Sequence, residues 1–310
     1  MHIPDGFVSI PVVVTTSIAS VGAISMALTR SRSAYGIKQG PILGLTTAFV
    51  FAAQMINFPV AGGTSGHLLG GTLAAVLTGS PWAGTLCIST VLLIQAVLFA
   101  DGGITALGAN ILNMAVIGVW TGWGLTQVIQ QLLGGSQRRL PLAAGLAAGV
   151  SVVAAAIACA IELVLSGTTA FHLAVPTMAG VHVLIGVGEG IITGGVLRYL
   201  AIARPDLLPG AQPQLRRWQE PVIAVLLIAG VLSLLASSWP DGLEKVATDL
   251  GFIHLAEEVR VVVATPFADY GIPGWGPLGT TITGLLGSVV SFAAAFGIAK
   301  LVSPKRAEEL

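Results

Sequence analysis

Residues 140–166 read LPLAAGLAAGVSVVAAAIACAIELVLS. About 20 apolar residues cross the hydrocarbon layer of a bilayer as a helix, and this run exceeds that length. Similar runs lie on both sides of it. Towards the N-terminus they cover about 8–29, 41–60 and 82–100, with a long glycine-interrupted run over 104–133. Between 60 and 82, Gly62-Gly63-Thr64-Ser65-Gly66-His67 leads into a short apolar stretch ending near Thr78. Towards the C-terminus, a short loop with His172 precedes a run over 175–200, and two more follow at 221–239 and 278–302. The 310-residue chain is 54% hydrophobic and 9% charged, where soluble domains carry about 25% charged residues. The expectation is an all-α, polytopic helical membrane protein with about nine membrane segments, in a bacterial plasma (inner) membrane. Net charge is zero, so there is no electrostatic footprint for nucleic acid. Cys87 and Cys159 both lie inside apolar runs and read as small core residues, not as a disulfide or a CxxC site.

One domain boundary stands out. The polar stretch 203–220 carries Pro205, Pro209, Pro213, Arg216 and Arg217. It divides the chain into 1–205, a cytoplasmic linker 206–220, and 221–310, where two membrane segments flank a loop over 240–277 rich in Asp and Glu. In a nine-span arrangement Arg30, Arg32, Lys38, Arg138, Arg139, Arg198, Arg204, Arg216, Arg217, Lys300, Lys305 and Arg306 share one side. Only Lys245 and Arg260 fall on the other. Basic loops stay in the cytoplasm, so the N-terminus is expected outside and the C-terminus inside. Met1, His67, Asp101 and the acidic loop then share the outer face.

That shared face matters because of Met1-His2. A free α-amine, the following amide nitrogen and the Nδ1 of a second-position histidine can grip one metal ion, closing a five- and a six-membered chelate ring. A deprotonated amide is a strong-field donor, and three such nitrogens favour the square plane of Ni(II) or Cu(II). A second imidazole, His67, could fill the open corner. The competing reading is that Met1 is only a start residue and His2 an accident. Against it, the N-terminus lacks the basic residues of a signal peptide, a bulky His2 should protect Met1 from removal, and Pro4-Asp5-Gly6 reverse the chain just before the first apolar run.

His182 and Glu189 lie seven apart, two turns along one helical face. Ionisable groups inside a membrane segment are costly and usually functional. They are candidates for orienting ligand imidazoles, as Gln54 and Asn57 are more weakly; a structural contact between packed helices fits equally. His172 and His254 read as loop histidines. The sequence has no GxxxxGK[ST] phosphate loop and no HExxH. Gly63-Thr64-Ser65-Gly66 matches the GxSG of intramembrane serine proteases, with His182 as the distant partner. In a chain of 40 glycines that match is weak.

Met1-His2-Ile3, the phrase 66–71, the run FADGGITALGAN over 99–110 and the stretch 182–189 resemble the CbiM/NikM family of cobalt and nickel energy-coupling-factor (ECF) transporter substrate-capture components. The resemblance covers about 1–205. The remainder resembles the small two-span partner subunit of the same transporters, with Pro240-Asp241-Gly242-Leu243-Glu244 matching the PDGLE phrase. The chain therefore looks like a fusion of the two. The resemblance implies Met1, His2 and His67 as metal ligands, and as partners a transmembrane coupling (T) subunit and two cytoplasmic ATPases. It implies Ni(II) as the transported ion, with Co(II) possible. A stand-alone secondary metal transporter remains the alternative.

Overall fold

The computed structural model describes residues 1–31, 40–209, 218–257 and 264–302. Arg32, Lys38, Arg216, Arg217, Glu258, Arg260, Lys305 and Arg306 lie outside the described residues. After an N-terminal arm come α1 (Ile10–Ser31) and α2 (Gly40–Gln54), a hairpin of β1 (Phe58–Val60) and β2 (Thr64–Gly66), and the short α3 (Gly71–Thr78). α4 (Pro81–Ile94) runs on through a π-helical end, Gln95–Phe99. α5 (Leu107–Asn110), π-helical turns over Ile111–Gly118 and α6 (Val119–Leu132) form one continuous rod. α7 (Leu140–Leu165), α8 (Phe171–Ala203), α9 (Gln219–Gly230), α10 (Gly242–Asp249), α11 (His254–Glu257) and α12 (Gly276–Val302) complete the chain.

Among the described residues five helices are long and apolar enough to cross a membrane: Ile10–Ser31, Pro81–Phe99, Gln137–Leu165, Phe171–Ala203 and Gly276–Val302. The protein is a multi-pass, all-α membrane protein. Ile10, Val14, Ile18 and Val21 on α1 point outward and are exposed, as expected where lipid is the solvent and every backbone group is satisfied within the helix. α4 is central and mostly buried.

Without a hydrophobic force between helices in lipid, close packing needs small residues. α7 and α8 meet through glycine. A Cβ built on Gly186 would lie 2.6 Å from the Gly149 carbonyl oxygen, and one on Gly145 would lie 2.8 Å from that of Gly190. α12 docks the C-terminal part onto α2 in the same way: a Cβ on Gly287 would strike the Phe51 ring at 2.1 Å.

The structure corrects several expectations. The run 41–60 is not one span: α2 stops at Gln54, and Pro59 sits in an antiparallel hairpin pairing Phe58 with Gly66. Gly62 and Gly63 make the turn at positive φ, where a residue lacking Cβ is favoured. Apolarity cannot distinguish a membrane helix from a helix followed by a buried hairpin. α3 has only 8 residues, too short to span. α9 ends at Gly230 and passes into a 3₁₀ segment, Leu232–Leu235. His172 and His254 are not in loops; each is exposed in the first turn of a helix, α8 and α11. Within the acidic loop lies the helix α10, which Asp241 and Glu244 start with reciprocal capping bonds.

Candidate metal centre

The first residues fold back into the protein. Met1, Ile3 and Phe7 are buried, Ile3 completely. The run 101–110 receives them. Ile3 N donates to Asn110 Oδ1 at 2.7 Å, and Asn110 Nδ2 and Gly103 N donate to the Ile3 carbonyl at 3.0 and 2.8 Å. Asp5 Oδ1 accepts from Thr105 N at 2.8 Å and from its hydroxyl at 2.5 Å. A Cβ on Gly103 would lie 2.3 Å from Asp5 N, so the arm can lie there only against glycine. Asn110 stands where the rod changes from α- to π-helical turns, a feature frequent at functional sites.

This seating brings the two expected pieces together. The Met1 amine lies 2.8 Å from His67 Nε2 and donates to Asp241 Oδ2 at 2.7 Å. The His2 and His67 rings stack, centroids 4.9 Å apart and 14° from parallel. His67 Nδ1 lies 3.0 Å from the Leu68 carbonyl; as donor there, it leaves the Nε2 lone pair facing the amine. His2 Nδ1 faces Asp101 Oδ1 at 2.9 Å, and Asp101 Oδ2 accepts from the Tyr270 hydroxyl at 2.5 Å. His2 Nε2 is buried with no partner among the described residues.

The electrostatics keep the His67 lone pair available. Burial first, then the adjacent amine and His2, lower the His67 pKa to about 3, so its ring is neutral. Burial raises the carboxyl of Asp101, but His2 and the bonds from His2 and Tyr270 outweigh it and hold it below the usual carboxylate range. Burial also raises the carboxyl of Asp241, but the amine, His67 and the bonds from Glu244 N and the amine together outweigh it and hold it below the usual carboxylate range. Burial and the Asp101 charge push the Tyr270 hydroxyl well above its ordinary value. Two carboxylates thus border a polar cavity of about 470 Å³ that His2, His67, Asn57, Gln54 and Tyr270 also line.

The other expected residues divide. Glu189 is buried and accepts from Leu69 N at 2.6 Å and Gly70 N at 3.0 Å, while Gln54 Nε2 donates to the Leu69 carbonyl at 2.9 Å. Both fix the main chain just after His67, where backbone groups in the membrane interior need partners. His182 does not pair with Glu189: its Nδ1 bonds the Met178 carbonyl of its own helix at 2.8 Å. It borders a small cleft with Met1, His67 and Gly242. Asn57 lines the larger cavity, and its carbonyl accepts from Ser237 N at 2.7 Å. Ser65 Oγ donates to the Trp239 carbonyl at 2.7 Å, so it forms no nucleophile–base pair with His182.

Sequence reasoning missed Asn110 and Tyr270 as parts of the site, had Asp101 only as an outer-face residue, and had Asp241 as one of the acidic-loop carboxylates that either collect cations or gate the site or belong to a solvated linker. The phrase 101–110 was the available signal for Asp101 and Asn110. Nothing near Tyr270 in sequence points to residue 101.

The centre offers nitrogen donors. Adjacent corners of a square plane with metal–nitrogen bonds of about 2.0 Å lie about 2.8 Å apart, the separation between the amine and His67 Nε2. Among the described residues no group of three or more His, Cys, Asp or Glu side chains is set to hold a metal ion. A planar site here must draw on main-chain nitrogen.

Residues 2–207 match the family described as the cobalt uptake substrate-specific transmembrane region, CbiM, and residues 220–304 match the PDGLE domain. A putative fused nickel transport protein NikMN of Archaeoglobus fulgidus is 35% identical over 97% of this chain and 98% of its own length. A fused nickel transport protein NikMN of Rhodobacter capsulatus is 33% identical over 96% of each. Among solved structures, a crystal structure of a truncated transition metal transporter superposes with a TM-score of 0.59 at 35% identity, covering 65% of this chain and 98% of that one. An N-terminal arm buried against the run 101–110, within a bundle whose match to the family extends from residue 2 to residue 207, makes this protein a member of the CbiM family carrying a PDGLE domain in the same polypeptide.

Proposed function

We propose that this chain is the substrate-capture component of an ECF-type transporter, taking Ni(II), or Co(II), from outside the cell. The ligands are the Met1 amine, the His2 amide nitrogen and Nδ1, and His67 Nε2. The observation that carries this reading is the amine held 2.8 Å from His67 Nε2 with the His2 ring stacked on His67. Capture turns His2 Nδ1 from Asp101 into the plane, its ring keeping at most a proton on Nε2, and releases one proton from the Met1 ammonium and one from the His2 amide, so binding strengthens as pH rises. Glu189 and Gln54 position His67 through the chain that follows it. The fused relatives are named for nickel transport, whereas a CbiM relative of Sorangium cellulosum, 36% identical over 61% of this chain, is named for cobalt. The planar donor set favours nickel.

The chain is not an enzyme. ATP hydrolysis belongs to two cytoplasmic ATPases, coupled through a separate T subunit; the absence of a phosphate loop from the sequence supports this division. The domains run 1–205, 206–220 and 221–310, close to the two matched regions. The bundle sits with about nine membrane segments, the short α3 counting as one only together with the irregular residues 67–70 that lead into it, N-terminus outside and C-terminus inside, from the distribution of basic residues.

The decisive experiment replaces His2 with alanine. Every helix keeps its sequence, but the imidazole and the six-membered chelate ring it closes are lost. Nickel binding by the purified chain, followed by calorimetry, should disappear. Binding at the unaltered affinity refutes the site.

A further inference from the structure

Asp241 and Tyr270 both belong to the stretch matched to the PDGLE domain, and each closes on one end of the N-terminal arm. Asp241 accepts from the amine. Tyr270 donates to Asp101, whose other oxygen faces His2 Nδ1. These are two of the nitrogens that a bound ion needs.

Neither contact is loose. The second oxygen of Asp241 accepts from Glu244 N at 2.8 Å, fixing the carboxylate on the N-terminus of α10. The preceding Trp239 and Pro240 carbonyls are held by Ser65 N and the Thr64 and Ser65 hydroxyls. The strand that leads to His67 thus also positions Asp241. The Tyr270 contact is strained. Among the described residues three non-glycine residues have positive φ: Ala100 at 55°, Asp269 at 52° and Tyr270 at 54°. A bulky residue there is an outlier. All three are at, or next to, the partners of the single Tyr270–Asp101 bond. Such strain persists where the surroundings impose it, and collects at clamps and switches.

We propose that the PDGLE segment is a latch on the metal claw: Asp241 holds Met1 and Tyr270 holds His2 through Asp101, and an incoming ion must displace both to bring the amine and Nδ1 into one plane. This deepens the function proposed above and rests on it. The latch sets the rate of capture, and the strained pair relaxes when His2 turns away.

The test uses the full chain in detergent with a Ni(II) salt as the probe, following the absorption of the planar Ni–N complex in a stopped-flow instrument and affinity by calorimetry. The variants are Tyr270→Phe and Asp241→Asn; asparagine also serves as a helix N-cap, so α10 keeps its start. Each variant removes or weakens a hydrogen bond to a charged group that competes with the ion. Each should capture Ni(II) faster and bind it roughly tenfold more tightly, with a larger effect in the double variant. Unfolding midpoints measured without added metal report whether the fold survives. Slower capture, weaker binding or no change in Tyr270→Phe at an intact fold overturns the latch. The His2→Ala chain separates the two readings. If it binds Ni(II) as the unaltered chain does, the claw fails and the latch falls with it. If only the unaltered chain binds and Tyr270→Phe is no tighter, the latch alone fails.

Discussion

His67 lies in a short segment between strand and helix, yet its ring is nearly sealed from solvent and bonded on both nitrogens. Burial beside a cationic amine keeps it neutral to about pH 3, whereas in an unfolded chain it titrates near 6.5. The sign follows from linkage. Below pH 6.5 the unfolded chain takes up a proton that the folded chain refuses, so stability falls as the pH drops from 6.5 towards 3. Between pH 7 and 5 this single group accounts for about 2 kcal/mol. Asp101 and Asp241 are also shifted down, so they lower stability in the same direction, but only near and below the ordinary carboxylate range. Thermal unfolding at pH 7 and pH 5 should show a drop in the unaltered chain that His67→Gln reduces. An equal drop in both would mean that His67 is protonated in the folded protein.

At the scale of elements, the site depends on how closely α7 and α8 approach. α8 carries Glu189, which bonds the two amides that follow the His67-Leu68 pair. Gly186, one turn before Glu189, faces the Gly149 carbonyl with no room for a side chain. Gly186→Leu must push the helices apart, and overpacking of this kind costs on the order of 1–3 kcal/mol or more. The expected result is a lower unfolding midpoint together with weaker nickel binding. Substitution of Gly180 on the same helix, where a Cβ would meet nothing within 4 Å, should change neither. If Gly186→Leu left both quantities unaltered, the seam would not be what positions Glu189.

For the whole molecule, orientation is the open quantity that function needs. His2, His67, Asp101 and residues of the PDGLE segment, Asp241 and Tyr270 among them, line one cavity, and the proposed direction of transport puts that cavity outside. Cys87 and Cys159 are both buried, so an introduced cysteine reports cleanly. In intact cells a membrane-impermeant maleimide should label Glu244→Cys and spare Arg138→Cys; the reverse pattern would invert the topology.

Much of this was legible in the chain itself. Apolar runs of spanning length determine an all-α membrane protein, because lipid offers the backbone no hydrogen-bond partner. Met1-His2 determines the chelate rings, because their atoms are covalently consecutive. The tertiary structure decided the rest. Where α2 ends depends on a hairpin that is as apolar as a helix. That Asn110 clamps Ile3, that Asp101 takes His2, and that Asp241 and Tyr270 reach back more than 160 residues to the arm and its neighbour are long-range pairings. Local sequence carries no record of them, since each is made by helices packing through glycine and not by spacing along the chain.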